Sequence, residues 1–188
     1  MENTLESTSH ITGHATSDKL LKGLGWGFLG GLTGTLVMDL LLMGTLLVLR
    51  QPATLCSSIV GDTVSRFFGV LGAQVTGGVA TGVLTHYVVG PLFGILFGAA
   101  VTKLHVLRAG SLKQITIAAF LYVEILSQPI LVSTPLLLKM KTPATLQWYG
   151  GAFLMHMVMS IILGVIVGYG LQVHTTTIQR MARRQSGL

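Results

Sequence analysis

Four long apolar segments constrain this chain more than any other feature of its sequence. They cover about residues 20–49, 77–101, 112–138 and 148–173. A helix needs about 20 predominantly apolar residues to cross the hydrocarbon core of a bilayer, and each segment is long enough. No alternating strand pattern occurs, and an open sheet cannot satisfy its backbone in lipid. The sequence therefore predicts an all-α fold, a bundle of four transmembrane helices.

The composition fits a membrane protein and argues against a soluble enzyme. Hydrophobic residues make up 51% of the chain and charged residues only 10%, whereas soluble domains have about 25% charged residues. The net charge is +6, but the basic residues lie in short connections and tails, where they set membrane topology. We therefore expect the lipid bilayer as a partner and no nucleic acid. No nucleotide-binding loop or nucleophile elbow occurs, so no catalytic residue is predicted.

The distribution of Lys and Arg predicts the orientation of the chain. Eight of the 12 basic residues lie in the N-terminal flank, the second connection and the C-terminal tail, and the other four lie in the first and third connections. Cytoplasmic segments are rich in Lys and Arg, so both termini are predicted to be cytoplasmic, with the helices in the cytoplasmic (inner) membrane. The domain prediction is a polar tail (1–18), a four-helix membrane domain (19–175) and a basic tail (176–188).

The first connection, between the first two apolar segments, contains a further helical pattern. Apolar residues recur at helical spacing from Ile59 to Leu71, and Asp62 and Arg66 form a possible i, i+4 pair. The pattern predicts a short amphipathic helix in the outer membrane interface. A lid over the bundle or a docking surface is the alternative.

The second and fourth segments share a pattern that indicates an internal duplication. Both follow H-x3-[G/S]-x3-G-x3-G, starting at His86 and at His156. The first and third segments match more loosely, since each has one acidic residue near its middle, Asp39 and Glu124. The chain is therefore predicted to consist of two tandem helical hairpins with the same orientation, which is the parallel type of transporter repeat.

Small residues four positions apart let transmembrane helices approach closely. The predicted helix-packing positions are Gly27, Gly31, Gly82, Gly90, Gly94, Gly98, Gly164 and Gly168. Faces of this kind could bind another membrane subunit or a second copy of the chain, or leave room for a flat cofactor.

Asp39, His86, Glu124 and His156 are the candidate functional residues, because ionisable groups inside a membrane helix cost about 2.5–3.5 kcal/mol and are retained for a reason. Counting along the helices places Asp39 and both histidines roughly 12–15 Å from the outer boundary, with Glu124 slightly deeper. We therefore expect the four side chains to meet in the outer half of the bundle.

Three functions fit this cluster. The four groups can satisfy one another, as in a non-catalytic subunit or scaffold of a larger membrane complex, which is the leading prediction. As the alternative, they can move protons or bind a zinc, iron or manganese ion, although no H-E-x-x-H motif occurs. As a second alternative, His86 and His156 can ligate a b-type haem for electron transfer, with His105 and His174 as a further pair. The sequence leaves the cofactor open.

Two stretches, GTLVMDLLL at 34–42 and LTHYVVGPLFGILFG at 84–98, resemble segments of small uncharacterised four-span prokaryotic membrane proteins. The resemblance covers the first two helices. It implies a four-span fold and carries no activity and no site residue.

Overall fold

The structure is a computed structural model that describes the backbone of residues 3–104, 107 and 111–185, and the side chains of 18–104, 107 and 111–171. Within these residues the chain forms five α-helices. They are α1 (Asn3–Val48), α2 (Leu55–Val70), α3 (Val79–Lys103), α4 (Leu112–Leu138) and α5 (Thr142–Gln185). Four helical stretches are long and apolar enough to cross a membrane, namely Asp18–Val48, Val79–Lys103, Leu112–Leu138 and Thr142–Leu171. The predicted all-α fold is confirmed for the described residues, as is the presence of four helices long and apolar enough to cross a membrane.

Two helices extend further than their apolar segments. The backbone of α1 is helical from Asn3, so the segment predicted to be a separate polar tail continues the first helix. No proline interrupts residues 3–18, and a change from polar to apolar side chains does not by itself end a helix. At the other end of the chain, α5 begins at Thr142 rather than near Trp148, with Pro143 in its first turn, where proline is tolerated.

α1 is the central helix of the bundle. It packs along α3 on one side and along α5 on the other, and α5 also packs along α4. α3 and α4 make little backbone contact with each other, and α2 packs against both of them. We call the end of the bundle that carries α2 and the α4–α5 connection the α2 end.

α2 is fixed between α3 and α4 by close packing and polar contacts. A Cβ on Gly61 would overlap the carbonyl oxygen of Gly78 at the start of α3. On the α4 side, the hydroxyl oxygens of Thr63 and Thr134 lie 3.2 Å apart, and Arg66 Nη1 donates to the carbonyl of Leu137 at 3.2 Å. A helix therefore occupies the first connection, and part of its surface is buried in the bundle. Its amphipathic character and its place at the outer interface stay predictions.

A glycine seam joins α1 to α3 in antiparallel register. It consists of Gly23, Gly27 and Gly31 on α1 and Gly98, Gly94 and Gly90 on α3. A Cβ on Gly27 would overlap the Gly94 carbonyl oxygen, and a Cβ on Gly94 would overlap the Gly27 carbonyl oxygen. The two backbones are in direct contact here, because only glycine leaves room for that approach.

In the contacts of α5 with α1 and with α4, glycine on one helix faces a larger residue on the other. Gly30 and Gly34 of α1 face Leu163 and Met159 of α5. Gly164 of α5 faces α4, where an added Cβ would come within 2.6 Å of Thr116 Cα. Gly168 faces the end of the flexible Leu112 side chain, at 2.7 Å from an added Cβ.

An apolar core closes the bundle at the end opposite α2. Its buried members are Phe97, Val101, Ile115, Ala119, Val123, Leu163 and Val167. Tyr122 packs against this core and donates its hydroxyl hydrogen to the Phe93 carbonyl at 3.0 Å. This bond links α4 to α3, two helices that otherwise make little backbone contact.

Candidate functional site

A carboxylate–imidazole pair lies inside the bundle between α1 and α3. His86 Nδ1 is 2.9 Å from Asp39 Oδ1, and the two side chains are 16% and 13% exposed. If the imidazole is neutral, its Nδ1–H donates a hydrogen bond to the carboxylate. If both ring nitrogens carry a proton, the two groups form an ion pair. The pair can therefore hold one transferable proton in a low-dielectric environment.

The glycine seam sets the level of this pair. Gly27 lies opposite Gly94 and Gly31 opposite Gly90, so one further turn brings Thr35 level with His86. Helical side chains lean toward the N-terminus of their own helix. In an antiparallel pair, two side chains at the same level therefore point away from each other. Asp39 lies one turn beyond Thr35 and points back toward the level of His86, so its carboxylate reaches the imidazole.

Glu124 and His156 stand at a common level but are not joined. The contacts of Gly164 with Thr116 and of Gly168 with Leu112 set an antiparallel register that brings Glu124 level with His156 two turns further on. Level side chains lean apart. Glu124 Oε1 and His156 Nδ1 are both buried and make no hydrogen bond with any side chain or backbone group that the structure describes.

A cavity of about 830 Å³ occupies the α2 end of the bundle. It extends from the connecting residues Gln51 and Met140 to the level of Thr35 and Met159, and all five helices contribute to its wall. Its volume lies within the range of about 300–1,000 Å³ that is usual for small-molecule sites. Below it, the apolar core separates the cavity from the opposite end.

Both histidines line this cavity, so His86, together with its partner Asp39, and His156 share one space. Glu124 does not belong to the cavity wall, although Ser127, one turn beyond it, does. The four predicted side chains are therefore brought together only in part, as one bonded pair and a second histidine across a common cavity.

Metal and haem binding are constrained by this arrangement. In the part of the chain whose side chains are described, no three or more His, Cys, Asp and Glu side chains come together closely enough to hold a metal ion. A metal site that uses all four predicted residues would need their side chains to rearrange, and it stays a prediction. The second haem pair, His105 and His174, lies outside the described side chains.

The eight predicted packing glycines all contact other helices of the same chain. Gly82 meets Ser57 of α2, and the other seven lie in the contacts of α1 with α3 and of α4 with α5. Sequence reasoning missed Gly30 and Gly34, which form a second G-x3-G on α1 toward α5. Their four-residue spacing is the sequence signal that indicates this second face.

Trp148 and Cys56 are further members of the cavity wall. Trp148 Nε1 donates to the Leu131 carbonyl at 3.2 Å. This carbonyl lacks its usual helical partner because residue 135 is proline. Cys56 lies in the first turn of α2. Burial and, to a smaller extent, the charge of Asp39 raise the pKa of its thiol to about 11.

No protein-family model, curated protein or solved structure matches this chain.

Proposed function

We propose that this chain is an integral membrane protein that moves protons by means of the Asp39–His86 pair. The observation that carries the proposal is the 2.9 Å contact of an intramembrane carboxylate with an imidazole in the wall of a cavity. Ionisable groups inside membrane helices are typical of proton pathways. Carboxylate and imidazole side chains form the proton relays of membrane pumps and transporters.

The cavity supports access to the pair from one side. It reaches the connecting residues Gln51 and Met140 at the α2 end. At the other side of the pair, α1 and α3 are in direct backbone contact along the glycine seam, and Phe97 is fully buried. This arrangement favours a site that is loaded from the α2 end and released by a conformational change, rather than an open pore.

The scaffold function stays a prediction with less support. It rested on glycine faces that could bind another subunit, and the eight glycines named for it contact helices of the same chain. Binding of haem or of a metal ion between His86 and His156 also stays a prediction, since both line one cavity.

Orientation and duplication belong to the same proposal. The distribution of Lys and Arg supports a cytoplasmic location of both termini, and in that orientation the cavity faces outward. Gly94 and Gly164 occupy equivalent positions in the shared sequence pattern, and they pack on α1 and on α4 respectively. This equivalence supports two tandem hairpins. The exposed Phe67 and Phe68 of α2 support contact of this helix with the outer interface.

The proposal is tested in liposomes that contain a pH-sensitive dye and the purified protein. A potassium diffusion potential drives protons inward, and the protein-dependent rate of internal acidification is measured. We expect Asp39→Asn to reduce this rate to that of protein-free liposomes, because the amide cannot exchange the proton. Glu124→Gln is the matched control and should leave the rate unchanged, since Glu124 is not part of the cavity wall.

The reconstituted variants are first compared by size-exclusion chromatography, so that loss of assembly is not mistaken for loss of flux. A wild-type rate equal to that of empty liposomes, or an Asp39→Asn variant as active as the wild type, would contradict the proposal.

A further inference from the structure

The cavity at the α2 end has the composition of a ligand site rather than of a water-filled channel. Most of its wall is apolar, and the few polar groups are spread along it. Four of the eight methionines of the chain belong to the wall, at Met38, Met140, Met155 and Met159. Methionine is flexible and polarisable, and it adapts to ligands of irregular shape.

The charge of the wall limits what can bind. No Asp, Glu, Lys or Arg of the described residues lines the cavity, and the nearby carboxylate of Asp39 is already bonded to His86. An anionic head group would enter without a compensating cation, and a buried uncompensated charge is strongly unfavourable. A neutral ligand meets no such penalty.

The polar groups of the wall suit an oxygen that accepts or donates a hydrogen bond. His156 lines the cavity and its Nδ1 has no partner among the described residues. The hydroxyls of Thr85 and Ser127 donate to the carbonyls of Thr81 and Glu124 at 2.7 and 3.1 Å, which leaves their oxygens as acceptors. The imidazole of His156 can therefore bind one carbonyl or hydroxyl oxygen, whereas the hydroxyl oxygens of Thr85 and Ser127 can accept only from a hydroxyl group.

We propose that this cavity binds a neutral lipophilic molecule that carries a carbonyl or hydroxyl oxygen, with its apolar body along the methionine-rich wall and its oxygen at His156. This inference rests on the shape and charge of the cavity and does not require proton movement by Asp39. A negative result in the flux experiment would therefore not contradict ligand binding. A negative result in the binding experiment would not contradict proton movement.

The chain offers an internal reporter for this proposal. It has two tryptophans. Trp148 lines the cavity, whereas Trp26 packs against Gly170 of α5 away from it. A Trp26→Phe variant reports on the cavity and a Trp148→Phe variant reports on the bulk lipid.

The probe is a dibrominated long-chain alcohol, because bromine quenches tryptophan fluorescence on contact. The protein is placed in lipid nanodiscs, and the mole fraction of the alcohol is raised. We expect saturable quenching of Trp148 at mole fractions at which Trp26 is quenched only in proportion to bulk lipid. The corresponding dibrominated carboxylate should quench Trp148 less, because its charge is not compensated in the cavity.

A cavity-filling variant provides the decisive comparison in the Trp26→Phe background. Gly151 lines the cavity and a Cβ there meets nothing within 4 Å, so Gly151→Phe fills space without striking the backbone. Gly44 is equally open but lies outside the wall, and Gly44→Phe is its matched control. We expect Gly151→Phe to raise the half-saturating mole fraction by about tenfold, and Gly44→Phe to leave it unchanged.

A second variant tests the polar contact. His156→Leu introduces an apolar side chain of similar size and removes the hydrogen-bonding group. It should therefore weaken binding of the alcohol and leave binding of a brominated alkane unchanged. Equal quenching of both tryptophans, quenching of Trp148 that Gly151→Phe does not alter, or equal affinity for alcohol and carboxylate would overturn the proposal.

Discussion

The antiparallel helix pairs α1–α3 and α4–α5, which we call the first and second hairpins, share a sequence pattern but differ in how their helices meet. In the α1–α3 hairpin, glycine faces glycine and the backbones touch. In the α4–α5 hairpin, Gly164 and Gly168 face Thr116 and a leucine side chain. The first hairpin joins its acid to its histidine at 2.9 Å, whereas the acid and the histidine of the second each have an unpartnered buried atom.

The difference between the two acid–histidine pairs is one helical turn. The glycine contacts place Gly27 of α1 and Thr116 of α4 at equivalent positions, opposite Gly94 and Gly164 respectively. Counting on from these positions, Glu124 corresponds to Thr35, and the counterpart of Asp39 is residue 128, which is a glutamine. The acid of the second hairpin thus stands one turn short of the position from which it could lean toward its histidine.

The backbone contact of the first hairpin gives the largest predicted effect. Gly94→Ala should lower the free energy of unfolding by about 3 kcal/mol, because the new methyl group overlaps the Gly27 carbonyl oxygen and the backbones must separate. The measurement is unfolding in mixed micelles with increasing denaturing detergent. Gly168→Ala should change the stability by less than about 1 kcal/mol, since the Leu112 side chain can rotate away and alanine favours the helix. If both substitutions lowered the free energy of unfolding equally, the two hairpins would not differ in how closely their helices pack.

The second hairpin should instead depend on a side-chain bond. Trp148→Phe keeps the aromatic packing but leaves the Leu131 carbonyl without its donor, and we expect a loss of about 1 kcal/mol. Trp26→Phe serves as the control, because Trp26 contributes packing against Gly170. If Trp148→Phe lowered the free energy of unfolding less than Trp26→Phe, the hydrogen bond to the Leu131 carbonyl, which Pro135 leaves without a helical donor, would not stabilise the second hairpin.

The register argument predicts that the missing pair can be restored. In the variant Gln128→Asp, combined with Glu124→Thr, the second hairpin carries the same residues at the same positions as the first. We expect a coupling free energy with His156 of about 0.6 kcal/mol, which is the average for hydrogen bonds between membrane helices. It is measured by combining these changes with His156→Ala. No coupling in this background would show that the two hairpins differ in more than one turn of register.

The smallest effect concerns the chemistry of α2. Burial raises the pKa of Cys56 to about 11, so only about one thiol in a thousand is ionised at pH 8. Alkylation by iodoacetamide should therefore accelerate about tenfold per pH unit from 8 to 10, without the plateau that an ordinary thiol shows near its pKa of about 8.5. The detergent-unfolded chain is the control. A plateau below pH 10 in the folded protein would mean that the thiol is not buried as the structure has it.

Much of the fold was predictable because length and hydropathy decide membrane crossing locally. The four helices follow from the apolar segments, and the glycine seam from four-residue spacing. The bonded pair was only one of several combinations of Asp39, Glu124 and the histidines, because the direction of a side chain depends on helix register, which a single sequence does not fix. The cavity was not predictable, since it depends on how all five helices pack, and no local sequence pattern specifies a gap between them.

Paired double-mutant cycles test the central claim, that only the first hairpin joins its acid to its histidine. Asp39 and His86 are replaced by alanine singly and together, and Glu124 and His156 are treated in the same way, with the free energy of unfolding measured for each variant. We predict a coupling of about 0.6–1.7 kcal/mol for Asp39 with His86 and none for Glu124 with His156. Equal couplings in the two hairpins, or coupling in the second alone, would contradict the account.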